Sequence, residues 1–208
     1  GTLEWDAPKG TWVLLRIGYA ANGRRNHPAS DRGVGLEVDK LSAAAVGRCF
    51  DGYIGKVAKM CGIDPSSDPR GRAGFNNTLV DSYEVGGQNW TQGFEREFAA
   101  RAGYDIRPYL PAFAGYLVDD ADTTERFFTD FRRVVSALFV ENYADEMARL
   151  CRKAGILFSC ECYGNFVTDE VRWGWNVDLP MGEFWAVNPD IERREAPQDW
   201  MAPPADGL

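Results

Sequence analysis

Four carboxylates stand where short apolar runs give way to polar turns. Asp81 and Glu84 follow Thr78-Leu79-Val80, Glu161 follows Ile156-Leu157-Phe158, and Glu183 lies in Pro180-Met181-Gly182-Glu183-Phe184-Trp185. Each has an aromatic neighbour: Tyr83, Tyr163 or the Phe184-Trp185 pair. Two carboxyl groups held at different pKa values are what glycoside hydrolysis requires. One, protonated, delivers a proton to the leaving oxygen, and the other, ionised, serves as base or nucleophile. The same acids, with Asn residues close by, also suit a hard, oxygen-liganded cation such as calcium. Any one of them alone is more often a solvated charge; three strand ends with the same pattern weigh against that reading.

Other chemistries find less support. The single histidine, His27, sits in an Arg/Asn/Pro loop and there is no Gly-x-Ser-x-Gly elbow, which argues against a serine or cysteine nucleophile. Gly71-Arg72-Ala73-Gly74 lacks the Lys-Ser/Thr of a phosphate loop. Cys49, Cys61, Cys151, Cys160 and Cys162 do not have zinc spacing and read as buried free thiols, with a Cys49–Cys61 disulfide as the lesser alternative. The formal net charge of −8 argues against nucleic acid or an anionic membrane as a partner. No apolar run nears the roughly 20 residues of a membrane span, and Gly1 to Gly10 has no signal-peptide pattern. With 45% hydrophobic and 26% charged residues, a packed core is expected.

The elements that must position these acids follow from the pattern of the chain. Trp12 to Tyr19 (WVLLRIGY) reads as a strand and Ala20 to Gly35 as a long loop. Ser42 can cap a helix over Ala43 to Met60, with Val46, Phe50, Ile54 and Val57 on one side. Thr78 to Glu84 is a second strand, and Thr91 precedes a helix that carries Phe94 and Phe98 and ends at Gly103. Tyr104 to Gly115, with Pro108 and Pro111, is expected to be irregular. Asp122 to Lys153 is a long amphipathic helix capped by Asp122 or Thr123 and ended by Gly155; Ile156 to Tyr163 and Val177 to Trp185 are further strands. Residues 186–208 read as an irregular tail.

Strands separated by long helices predict parallel pairing through right-handed crossovers. A doubly wound sheet lacks its Gly-x-Gly-x-x-Gly turn here. An eight-stranded barrel needs about 250 residues. The fold class expected is therefore α/β, a (β/α)8 TIM-type barrel of which residues 1–208 form only a part, with the acids gathered at the C-terminal ends of the strands.

Five ordered motifs carry a resemblance: Gly35-Leu36-Glu37-Val38-Asp39-Lys40-Leu41-Ser42; Asp81-Ser82-Tyr83-Glu84 running into Gly86-Gly87-Gln88-Asn89-Trp90-Thr91; Arg101 to Asp105 with Pro108 to Pro111; Glu161-Cys162-Tyr163-Gly164; and Pro180 to Trp185. As a set they resemble the catalytic barrel of glycoside hydrolase family 106, the α-L-rhamnosidases, from about Trp12 to Trp185. The resemblance implies a calcium-dependent, inverting exo-glycosidase acting on carbohydrate, within a larger, secreted or periplasmic multidomain chain. Glu84 matches the catalytic acid. The base is implied on a later strand, with Glu161 and Glu183 binding substrate or calcium, or one of the two acting as the base. Asp81, Asn89, Trp90, Tyr163 and Trp185 are the implied substrate-binding residues. Cys162 departs from the pattern, which expects proline or a small residue before Tyr163. Two other readings stay open: a non-catalytic carbohydrate-binding fragment, and another barrel glycosidase using Glu84 and Glu161.

Overall fold

The computed structural model describes residues 2–26 and 28–183. His27, Phe184, Trp185 and the expected tail at 186–208 lie outside the described residues.

Ser42 accepts a hydrogen bond from the Ala45 N–H and opens α1 (Ala43–Gly52). The helix expected to continue to Met60 breaks at Tyr53, with φ −129° and ψ −79°, and restarts as α2 (Ile54–Met60). Gly52 and Gly55 flank the break, and glycine inside a helix costs about 1 kcal/mol relative to alanine, so the chain bends there at little loss. β1 (Asn77–Val80) is followed by α3 (Phe94–Ala102), which buries Phe94 and Phe98. The segment expected to be irregular is a 3₁₀ helix, Arg107–Ala114, whose Pro108 at the start is compatible with a helical first turn.

The long helix forms as α4 (Ala121–Phe139) and α5 (Asp145–Ala154), joined by one π turn over Val140–Ala144. Its cap is Asp120, accepting from the Thr123 N–H at 2.6 Å, rather than Asp122 or Thr123. The wider turn aims Asn142 at the Leu41 carbonyl, 2.9 Å away, and brings Tyr143 beside Lys40. Gly155, at φ +69°, ends α5. An added Cβ there would lie 2.6 Å from the Pro65 Cα, so only glycine fits both the conformation and the contact.

β2 (Leu157–Glu161), α6 (Glu170–Gly174) and β3 (Leu179–Met181) complete the sheet. The strands are parallel in the order β1-β2-β3, with Leu79 opposite Ser159 and Ser159 opposite Leu179. Side chains alternate along each strand. Thr78, Val80, Phe158 and Cys160 therefore face one side, where Phe158 and Cys160 join Phe127, Phe139 and Trp173 in the helix-covered core. Leu79, Ser159, Leu179 and Met181 face the other, where Leu79 is 54%, Leu179 50% and Met181 43% exposed. Both β1 and β3 are edges among the described residues.

The α/β class and the parallel pairing are as expected: the described residues form an open three-stranded sheet, with no closed barrel among them. One expectation is corrected. Trp12 to Tyr19 makes no strand: it is exposed, with Val13 and Leu14 about two-thirds accessible, because among the described residues no strand lies alongside to take its backbone bonds. Cysteine burial also divides. Cys151 and Cys160 are buried, Cys162 is half-buried, Cys49 and Cys61 are exposed, and all five are free.

Candidate functional site

Parallel pairing puts the C-terminal ends of all three strands at one edge. Asp81 follows β1 directly, Glu161 is the last residue of β2, and Glu183 lies two residues past β3. The chain beyond β1 is tied to that beyond β2 by a bridge between Tyr83 and Gly164, with Tyr83 N–H donating to the Tyr163 carbonyl and Asn165 N–H to the Tyr83 carbonyl, each at 2.9 Å. Gly164 is required at this crossing, since an added Cβ would fall 2.2 Å from the Tyr83 carbonyl oxygen.

At this edge the Ser82 N–H donates to the Glu161 carboxylate at 3.2 Å and to the Asp81 carboxylate at 2.9 Å. The Asp81 and Glu161 carboxyls stand side by side and titrate as a pair. Contact with Glu161, and then the Ser82 N–H, hold Asp81 below the usual carboxylate range; contact with Asp81, reinforced by desolvation, raises Glu161. Tyr163 connects this pair to the third acid. Its hydroxyl is buried without a hydrogen bond of standard geometry, and burial together with the Glu161 and Glu183 carboxylates raises its pKa. Asp81, Glu161, Tyr163 and Glu183 are thus one interacting group.

Glu84 does not join it. The turn after Ser82 sends Tyr83 into the core against Phe139 and Phe166 and leaves Glu84 exposed, with no hydrogen bond or ion pair to a described residue. Asn89 and Trp90 do not join it either, but line a separate cavity of about 890 Å³ beside the 83–92 loop. Trp185, the remaining expected contact, lies outside the described residues.

The cavity is framed by residues to which the sequence reading gave no role. Lys40, 7% exposed, pairs with Glu37 at 2.7 Å and lies 5.3 Å and 5.6 Å from the Tyr83 and Tyr143 ring centres. Asp39 accepts from the Leu41 N–H at 3.0 Å, from the Thr91 hydroxyl at 2.6 Å and from the Gln88 amide, fastening the 37–41 turn to the 88–91 loop. The signal available in the sequence was the Glu-x-x-Lys spacing of Glu37 and Lys40. Partners some fifty residues away, at Gln88 and Thr91, left none.

Calcium takes 6–8 oxygen ligands. The donors here are of the right kind: the Asp81, Glu161 and Glu183 carboxylates with the Tyr163 hydroxyl among them. Two carboxyls crowded enough to perturb one another would also be relieved by a divalent cation. Among the described residues, however, no three His, Cys, Asp or Glu side chains gather around one point. An ion would need further ligands.

Residues 1–202 match the family model of glycoside hydrolase family 106, α-L-rhamnosidase. The structure is similar to that of a rhamnosidase from Novosphingobium sp. PP1Y, with a TM-score of 0.71 and 32% identity, over 81% of this chain and 16% of that one. A protein of Formosa agariphila, named provisionally as a β-glucuronidase, is 46% identical over 187 residues, 89% of this chain and 15% of its own. The chain therefore spans about one-sixth of the proteins it matches. No described helix is long and apolar enough to cross a membrane.

Proposed function

This chain belongs to glycoside hydrolase family 106, the α-L-rhamnosidases, and from that premise we propose that the protein removes terminal α-L-rhamnose from oligo- or polysaccharides with inversion. The observation that supports the reading is the gathering of Asp81, Glu161, Tyr163 and Glu183 at the common end of three parallel strands, a polar group suited to holding a sugar. In this mechanism Glu84 protonates the leaving oxygen as the glycosidic bond breaks. Water attacks the anomeric carbon from the opposite face and gives its proton to a carboxylate base. Exposure of Glu84 on its turn leaves it open to a leaving group. Glu161 and Glu183 hold the sugar, and the base is a glutamate on a strand beyond this sheet. Glu161 and Glu183 would supply two of the ligands of a calcium ion, with the remaining oxygens from other groups, and such an ion would polarise and orient sugar hydroxyls.

The exposed apolar face of Leu79, Leu179 and Met181, with two free sheet edges, supports a barrel that further chain completes, since proteins do not leave such edges open. The match to only 15–16% of longer proteins supports the same conclusion. The whole would be a larger, secreted or periplasmic enzyme.

The test is Glu84→Gln in the full-length protein, assayed on rhamnosides with poor and with activated leaving groups. Turnover should fall by at least about 10²-fold on the first and markedly less on the second, because an activated phenol needs little protonation. Equal losses would make Glu84 a base or a binding residue. Expressed alone, these 208 residues should hydrolyse nothing. Turnover by the segment would place the base within it, at Glu161 or Glu183.

A further inference from the structure

We propose that Tyr83 is a positioning residue for the reaction: its side-chain hydroxyl closes the 83–86 turn and so holds Glu84 at a fixed place relative to the strand ends. This rests on the glycosidase reading, with Glu84 as the acid, and names the group that sets where that acid stands.

Glu84 is exposed and has no hydrogen bond or ion pair to a described residue, so its place is set by its backbone. A reacting group displaced by about 1 Å can lose on the order of 10²-fold in rate. That backbone is held on both sides by one residue. Before Glu84, the Tyr83 N–H donates to the Tyr163 carbonyl and the Tyr83 carbonyl accepts from the Asn165 N–H, each at 2.9 Å. After it, the Gly86 carbonyl accepts from Tyr83 Oη at 2.6 Å. Glu84 and Val85 thus span two points that Tyr83 fixes, one through its main chain and one through its side chain. The loop stays anchored as it leaves the turn, with Asn22 donating to the Gly87 carbonyl at 3.2 Å and the Lys40 N–H to the Gln88 side-chain oxygen at 3.0 Å.

A hydroxyl can hold the turn only if its ring cannot swing. Tyr83 is 4% exposed, its ring centre lies 4.7 Å from that of Phe166 and 5.6 Å from that of Phe139, and the Lys40 ammonium stands 5.3 Å away. The clamp therefore ties an exposed acid to the packed core, the support that a working group needs. Its proton is secure as well. Burial, with the Glu37 charge, pushes the phenol from 10.0 to about 12, so it remains a donor wherever a carboxyl acid could work. Packing alone does not call for the hydroxyl, since phenylalanine offers the same ring to Phe139 and Phe166.

The test compares Tyr83→Phe, Glu84→Gln and the double variant with the wild type in the full-length protein, on rhamnosides with poor and with activated leaving groups. Phenylalanine keeps the ring in the core and removes only the donor. A loosened fold lowers the rate on both substrates alike, whereas a displaced acid lowers it where a proton is needed. For Tyr83→Phe the expected fall in kcat is at least about tenfold larger with the poor leaving group, with KM changed by less than about threefold. In the Glu84→Gln background the same substitution should cost less than about threefold, because the acid it positions is gone. A smaller contrast between the substrates, or a full additional loss in the double variant, overturns the proposal. If the wild type cleaves neither substrate, or Glu84→Gln shows no contrast between them, the reading of Glu84 as the acid fails by itself, and crystal structures of the wild type and Tyr83→Phe then decide. A Glu84 Cα displaced by about 1 Å or more in the variant supports the clamp, and a smaller shift overturns it.

Discussion

Asp81 and Glu161 stand side by side across the ends of two neighbouring strands, and the contact lowers the pKa of Asp81 while it raises that of Glu161. The backbone N–H of Ser82 reaches both carboxyls and so fixes them side by side. Neither residue creates this asymmetry alone. It exists because parallel pairing brings residues 80 positions apart in sequence to the same edge.

Asp81→Asn should therefore lower the Glu161 pKa. The neutral amide removes the neighbouring charge and can donate to the Glu161 carboxylate, and both changes favour ionisation. Carboxyl carbon NMR shifts followed against pH in metal-stripped protein would show it. A Glu161 midpoint that stays put or rises would mean that partial burial, rather than Asp81, controls this group.

A divalent cation at this pair would compete with protons for the same oxygens. Adding calcium to metal-stripped full-length protein should raise the thermal midpoint, since a ligand bound only by the native state stabilises it. The increase should shrink in Glu161→Gln. Chelation that alters neither stability nor activity would remove calcium from the account.

Gly164→Ala should destabilise the protein by about 1–3 kcal/mol or more, the range for forced overpacking, because its Cβ would sit 2.2 Å from the Tyr83 carbonyl oxygen. The Tyr83–Gly164 bridge holds the Asp81 turn against the Glu161 turn, so the variant should also disturb the shared titration. Gly71→Ala, where a Cβ meets nothing within 4 Å, is the control and should change stability little in urea melts.

Two tyrosines predict the alkaline limit of the fold. Desolvation, with the nearby Glu37 charge, pushes Tyr83 from 10.0 to about 12, and desolvation with Asp130 pushes Tyr104 to about 12 as well. The native state therefore keeps these protons where the unfolded chain loses them. Their stabilisation is fully present below pH 10 and is lost as pH rises towards 12. Urea midpoints measured from pH 9 to 12 should fall across that window, and Tyr104→Phe should flatten the decline. A flat profile in the wild type would contradict the shifts.

Elements whose signals are local follow from the residues alone. Ser42 as a cap, the spacing of Phe127, Phe131, Val134 and Leu138 along α4, Gly155 as a stop and the short apolar runs of β1 and β2 could all be read because each depends on neighbours within a few turns. The acids at strand ends, and the family to which the chain belongs, were legible for a similar reason, since their motifs are contiguous. What depends on distant partners was not. Trp12 to Tyr19 has the composition of a strand yet takes no ladder, because a strand needs another backbone at its side and composition cannot supply one. Glu84 and Glu161 look equivalent as carboxylates after strands, but the turn at Ser82 exposes the first while parallel register crowds the second against Asp81. The fastening of Asp39 to Gln88 and Thr91, and the cavity it frames, are likewise decided only when chain segments meet, because hydrogen bonding and desolvation are properties of the packed neighbourhood rather than of the residue.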